Sequence, residues 1–320
     1  MARDPSFVLI ALGGNAFQSK GESCSIETYL RNAEYAARAI AHAVERGLRV
    51  VVTHGNGPQV GILMELFERG RDVVESMTMD VATAMTQGWL GYVLMQTIHN
   101  ELARRGLLGT VVRGVVALIN RVLVDLEDPA FRNPTKFIGR YYSEEEAKRL
   151  ARERGWVMKP DPRGGWRRVV PSPDPIENVE CEAVKRLVES GWIVIASGGG
   201  GIPVARRGRE LVGVEAVIDK DLAAERLATA LGVGMLIILT DVDYAYLDFG
   251  KPTARPLKLL RVSEAEELLA KGVFGEGSMA PKIRAAVRFV KNGGLEARIG
   301  HLHRADEVLE GVSGTRIVPG

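Results

Sequence analysis

The stretch "SFVLIALGGNA" occupies residues 6–16. An unbroken apolar run, Phe7 to Leu12, stops at two glycines and an asparagine. A run that short with no polar alternation reads as a strand buried on both faces, as in a parallel sheet covered by helices. The same pattern recurs. "LRVVVT" (48–53) runs into "HGNGPQVG", and "WIVIA" (192–196) runs into "SGGGG". "TVVRGVVALI" (110–119) and "MLIILTD" (235–241) are further strands. Helical patterns lie between them. Ala33, Ala36, Ala37, Ile40 and Val44 share one face ahead of Gly47, and a long helix is expected over about 78–104. Ser263 with Glu266 suggests a capping box opening a helix that ends at Gly272. "SMAPKIRAAVRFVKNGG" reads as a helix capped by Ser278, with Pro281 in its first turn and Gly293 ending it. Strands alternating with helices imply an α/β sandwich of three layers around a mainly parallel sheet.

The segment 125–175 breaks the rhythm. It is rich in proline, glycine, arginine and tryptophan, and holds "NPTKFIGRYY" and "PDPRGGWRRVVPSPDP". It reads as a small inserted lobe with Phe137, Trp156 and Trp166 as its core. The expected division is an N-terminal half over 1–190 carrying this lobe, and a C-terminal half over 191–320.

Bulk composition narrows the partners. A formal net charge of +2 over 320 residues gives no reason to expect nucleic acid or an anionic membrane. Two cysteines, Cys24 and Cys181, rule out a disulfide framework or a zinc ribbon. The first apolar run is too short for a signal segment or a membrane span, so a cytoplasmic protein is expected.

Chemistry is expected where glycine turns follow strands, because ligands of parallel sheets bind at the strands' carboxyl ends. Glycine there lets backbone amides approach an anion, and a following helix N-terminus adds partial positive charge. "LGGN" (12–15), "HGNG" (54–57), "SGGGG" (197–201) and "GEGSM" (275–279) all qualify. No P-loop, complete dinucleotide fingerprint, protein-kinase motif set or HExxH is present. Two lysines, Lys220 and Lys282, stand at expected helix starts, where the helix dipole disfavours a cation. Either Asp219 and Asp221 offset them or a bound polyphosphate does; the plain alternative is a capped helix with a solvated lysine. Glycine turns plus lysines suit phosphoryl transfer, which depends on positioning and charge neutralisation. Tyr244 and Tyr246 either wall an adenine or pack. His301 and His303 have strand-like spacing but no neighbouring acid or cysteine to complete a metal site.

"ALGGNA", "THGNGPQVG", "TQGWLGY", "PTKFIG", "GWRRVVPSPDP", "ASGGGGIPV", "GVEAVIDKDLAAERLA", "LTDVDYAYLDFGKP" and "GSMAPKIRAAVRF" occur in order over nearly the whole chain. Together they resemble the carbamate kinases of the amino acid kinase family. The resemblance implies reversible phosphoryl transfer between ATP and carbamate with Mg²⁺, small-molecule substrates only, and a homodimer. It implies that Gly13, Gly14 and Asn15 cradle the transferring phosphate. Gly55, Asn56 and Gly57 would take the carbamate end, and Ser197, Gly198, Gly199 and Gly200 would also face the phosphates. Asp241, Tyr244, Tyr246 and Met279 would neighbour the nucleotide. Lys220 and Lys282 would neutralise phosphates with Asp219 holding them, and Asp221 is left as an ordinary first-turn acid. Lys136, on the lobe, would replace a lysine that other members carry in the first glycine turn, reaching the site when the lobe closes. Arg140 stands where the pattern has proline, and "DPRGGWRR" carries an extra residue. A kinase of another small acid on this fold, or a nucleotide sensor without turnover, are the alternatives.

Overall fold

The structure, a computed structural model, describes residues 3–18, 22–73, 77–161, 164–275 and 278–320, with the Asn15 side chain excepted. Eight strands form the central sheet. Their order is Leu259–Arg261, Thr315–Val318, Glu296–His301, Val233–Thr240, Asp4–Leu12, Arg49–His54, Trp192–Ile195, Gly114–Ala117. Every neighbouring pair is parallel except Glu296–His301 against Thr315–Val318.

The opening stretch sits in the middle. Alternate residues of a strand face opposite ways. Phe7, Leu9 and Ala11 enter a core with Ala224, Leu227, Ile283 and Ala286, from helices Lys220–Leu231 and Met279–Lys291. Val8, Ile10 and Leu12 enter a second core with Ala33, Ile40, Leu90 and Leu94, from helices Ile26–Glu45 and Met79–Arg104. One apolar run thus serves two cores, which is why it shows no polar alternation. Each fully buried Leu or Ile contributes about 1.5–3 kcal/mol.

Some boundaries differ from expectation. The helix expected at 263–272 is Val262–Ala270, because the strand Leu259–Arg261 runs straight into it. Glu264, not Glu266, accepts the cap amide, that of Arg261, at 2.8 Å. Ser278 makes no side-chain cap; its hydroxyl donates to Gly275 O at 3.4 Å. Glu276 and Gly277 of "GEGSM" lie outside the described residues. The helix Gly57–Arg69 was hidden by its glycine-rich start.

The lobe is a sheet of three antiparallel strands, Lys136–Tyr142, Trp166–Val170 and Met158–Pro160, with helix Glu144–Arg154. Its core is Tyr142, Ala147, Leu150 and Trp156, packed by Met158 and Trp166. Phe137 is not part of it and faces the Arg167 guanidinium instead. The lobe docks on helix Gly57–Arg69. Ile138 is buried with Val60 and Met64, and Arg140 pairs with Glu65 at 3.1 Å. A Cβ on Gly61 would lie 2.0 Å from the Gly139 backbone, so only glycine permits this approach. Arg140 therefore has a local partner, a contact proline lacks. Pro162 and Arg163, within the extra-residue stretch, lie outside the described residues.

Candidate active site

The strands Asp4–Leu12, Arg49–His54, Trp192–Ile195 and Val233–Thr240 all end on one edge, and the chain's winding reverses there between Asp4–Leu12 and Val233–Thr240. This is where an open α/β sheet leaves a crevice. Gly13 donates to Leu239 O at 2.9 Å and Gly55 to Leu12 O at 3.1 Å, so the first two turns are pinned to neighbouring strands. A Cβ on Gly55 would lie 3.5 Å from both Gly14 N and Lys220 Cδ. Gly14, Gly55 and the Lys220 stem therefore meet at one point. Asn56 begins helix Gly57–Arg69, whose first amides have no partner within the helix. Ser197 to Gly200 form the third turn, stacked on the second: a Cβ on Gly199 would lie 2.2 Å from the Asn56 amide nitrogen.

The charged groups converge differently from expectation. Asp219 caps helix Lys220–Leu231, with Oδ1 accepting from Asp221 N and Leu222 N at 2.9 and 3.3 Å. Its other oxygen accepts from Lys136 Nζ at 2.6 Å. Asp221 holds the other two lysines. Lys220 Nζ donates to its Oδ1 at 2.5 Å and Lys282 Nζ to its Oδ2 at 2.9 Å. The expected assignment is thus corrected: Asp219 pairs with the lobe lysine, and Asp221 bridges the pair at the helix starts. Lys136 already reaches the site in this structure.

The pair of lysines and their acid are buried, with side-chain exposures of 10%, 13% and 3% for Lys220, Lys282 and Asp221. Burial works against the Asp221 charge, but Lys220 and Lys282 hold its carboxyl well below the usual range. Burial likewise raises Asp219, yet the Lys136 ammonium holds it low on balance. Burial pushes Lys220 below the ordinary lysine value; Asp221 opposes this and Lys282 reinforces it. Lys282 is also pushed down by burial, but Asp221, Asp219 and Asp241 together raise it above its ordinary value. Two ammonium groups bound to one carboxylate leave a net positive charge, a fit for an added anion. A unit pair at ~4 Å is worth about 4 kcal/mol at an effective dielectric of about 20.

Asp241 follows the strand Val233–Thr240 and accepts from Thr240 Oγ1 at 3.1 Å. Tyr244 and Tyr246 form an edge-to-face pair at 6.2 Å, with Phe249 5.8 Å from Tyr246. Met279 is half-buried at the first position of its helix. No hydrogen bond or ion pair joins Asp241, Tyr244, Tyr246 or Met279 to the lysine cluster among the described residues. Asn15 lies in the first turn, and its side chain is outside the described part. His301 ends its strand, and its Nδ1 accepts from His303 N at 3.0 Å, so the expected strand spacing fails. His303 stacks on Tyr35.

His54 was not singled out by sequence. It is buried against the third turn, where a Cβ on Gly198 would lie 2.5 Å from its Nε2. Its Nδ1 donates to Gly55 O at 3.0 Å. Burial, aided by the Lys220 charge and opposed by that hydrogen bond, pushes its pKa from 6.5 down to about 4. The unfolded chain then takes up this proton near pH 6.5 and the folded chain only near 4. Between those values the unfolded state binds more protons, so stability is full above the window and falls as pH drops through it, by about 3 kcal/mol. Urea unfolding at stepped pH should show this slope in the wild type and not in His54→Asn. Equal slopes would mean that His54 protonates freely in the fold.

Comparison with known proteins shows the family and the fold. The sequence profile of the amino acid kinase family matches residues 6–301. A carbamate kinase of Pyrococcus horikoshii is 50% identical over 317 residues, covering 98% of this chain and 100% of its own. One from Clostridium perfringens is 44% identical over 315 residues, covering 97% and 99%. Carbamate kinase from Giardia lamblia bound to AMP-PNP superposes with a TM-score of 0.88 at 40% identity, covering 99% of each chain. The same enzyme bound to citric acid gives 0.92 at 39%, covering 100% of this chain and 99% of that one. The chain belongs to the amino acid kinase family and groups within it with the carbamate kinases.

Proposed function

We propose that the chain catalyses reversible phosphoryl transfer between ATP and carbamate. A carbamate oxygen attacks the γ-phosphorus and the bond from that phosphorus to the β-bridging oxygen breaks. Carbamoyl phosphate and ADP result. The nucleophile is already anionic, so no side chain has to remove a proton. The observation that carries the reading is the Lys220–Asp221–Lys282 cluster set where the glycine turns meet. Its role is to neutralise charge on the transferring group, while the backbone amides of Gly14, Asn15, Gly198 and Gly199 hold it, with Gly13, Ser197 and Gly200 shaping the two turns. Gly55, Asn56 and Gly57 take the acceptor. Asp241, Tyr244, Tyr246 and Met279 line the nucleotide side.

Mg²⁺ enters with the nucleotide. No group of three or more His, Cys, Asp or Glu that could hold a metal gathers among the described residues. The ion would be held mainly by phosphates and water, and Asp241, close enough to Lys282 to act on its charge, is the carboxylate that would face it. When bound, it shields phosphate charge.

Incubation with carbamoyl phosphate, ADP and Mg²⁺ should yield ATP. No ATP would leave a nucleotide sensor, and faster turnover of acetyl phosphate would leave a kinase of another small acid. Lys136→Ala should raise KM for carbamoyl phosphate roughly tenfold and leave KM for ADP nearly unchanged, because Lys136 sits on the lobe over the acceptor turn. Unchanged carbamoyl phosphate kinetics would remove Lys136 from the acceptor site.

The chain is also proposed to act as a homodimer in the cytoplasm. No helix among the described residues is long and apolar enough to cross a membrane. Val81, Met85 and Tyr92 line one face of helix Met79–Arg104 and are 37%, 44% and 56% exposed. That helix packs on the edge strand Gly114–Ala117, with Gly91 set against Ala117 and Ile119 57% exposed just beyond. An exposed apolar stripe beside the sheet's edge strand fits a second copy. Sedimentation equilibrium should give a dimer, and Met85→Asp with Tyr92→Asp should give a monomer. A monomeric wild type at micromolar concentration would contradict this.

A further inference from the structure

We propose that Gln87, Asn120 and Asn178 are positioning residues that hold the Ser197–Gly200 turn in the shape a transferring phosphoryl group meets. The proposal rests on the phosphoryl-transfer reading above.

Ser197 has φ 51°, a left-handed conformation that a non-glycine residue adopts only when its surroundings enforce it. Three elements do so. Asn120, beyond the edge strand, accepts from Ser197 N through Oδ1 at 2.6 Å. Asn178, in the short strand Glu177–Asn178, donates from Nδ2 to Ser197 Oγ at 2.8 Å. Gln87, on helix Met79–Arg104, donates to Asn120 O at 3.1 Å and Gly198 O at 3.0 Å, and accepts from Asn120 N at 2.9 Å. All four residues are buried. Each amide's orientation follows from its partners, since carbonyls only accept and N–H groups only donate.

The clamp leaves the Gly198 and Gly199 amides without an acceptor among the described residues. It also extends into the acceptor turn. Asn56 Nδ2 donates to Thr86 Oγ1 at 2.8 Å, one residue before Gln87, and Gly199 sits directly on the Asn56 side chain. A displaced clamp would therefore shift both turns. Asn120 Nδ2 and Asn178 Oδ1 are buried with no partner among the described residues. Such groups cost about 1–3 kcal/mol each. A cluster kept for stability alone would have little reason to carry two of them around one strained serine.

The test uses Asn178→Ala, the volume-conserving Gln87→Met, and Ser197→Gly alone and with Asn178→Ala. Folding is checked by thermal unfolding, and amide hydrogen exchange is read on the peptide spanning 192–204. Asn178→Ala and Gln87→Met should each lower kcat roughly tenfold or more, with KM for ADP within about twofold, as misplacement of a transition-state contact predicts. Exchange should quicken in that peptide. Asn178→Ala should cost less in the Ser197→Gly background, where the left-handed shape needs no enforcement. Should Gln87→Met fail to fold, the Asn178 and Ser197 pair decides. A folded Asn178→Ala with wild-type kcat and wild-type exchange overturns the proposal. A wild type that forms no ATP refutes the phosphoryl-transfer reading, while the exchange data still decide the clamp.

Discussion

Lys220→Ala and Lys282→Ala are each expected to lower kcat by about 10²–10³-fold in a folded protein, the scale of losing one preorganised charge-stabilising contact. Both ammonium groups sit on one buried carboxylate, so each is fixed before substrate arrives. Fixing them in advance avoids reorganisation in the transition state, and burial keeps water from screening them. The losses should not add, because removing either lysine leaves Asp221 to neutralise the other. Steady-state ATP formation by the two single variants and the double variant measures this. Turnover within a few-fold of wild type would remove the lysines from the transition state.

Asp221→Asn is expected to be nearly as damaging, for a different reason. The asparagine keeps the shape and can still accept, but it takes away the charge that offsets burial of both lysines. Lys220, already below its ordinary value, loses its main upward pull. Its ammonium form should then be lost at a lower pH than in the wild type, so the kcat of Asp221→Asn should fall earlier as pH rises. A buried cation deprived of its partner also costs about 3–5 kcal/mol of stability, so the unfolding midpoint should fall too. A pH–rate profile with the wild-type shape would show that Asp221 is the ordinary first-turn acid the sequence suggested.

Those two aspartates mark the limit of what the sequence discloses. Lys220 and Lys282 stand out because a cation at a helix start opposes the dipole, a purely local signal. Which acid holds them depends on where helix Met279–Lys291 crosses helix Lys220–Leu231, and 61 residues separate Asp221 from Lys282. Capping geometry decides the rest. One Asp219 oxygen is used by the amides of its own helix, leaving the other for Lys136. The first three glycine turns were legible because each follows an unbroken apolar strand, whereas "GEGSM" comes after helix Val262–Ala270 and not after a strand. The polar clamp behind them was not. Gln87, Asn120 and Asn178 come from three distant stretches, and nothing near any of them in sequence shows that it turns inward. Phe137 was misplaced in the lobe core because its strand's register, with a left-handed Gly139, is set by docking against Gly61.

The central claim is that the Asp221-bound lysines converge on the group being transferred. A crystal structure with ADP, Mg²⁺ and an aluminium fluoride mimic of the phosphoryl group tests it most directly. Lys220 Nζ and Lys282 Nζ should both lie within hydrogen-bond distance of the mimic, roughly 2.7–3.1 Å, with Asp221 still between them. A mimic bound at the glycine turns with either lysine turned away from it would contradict the account.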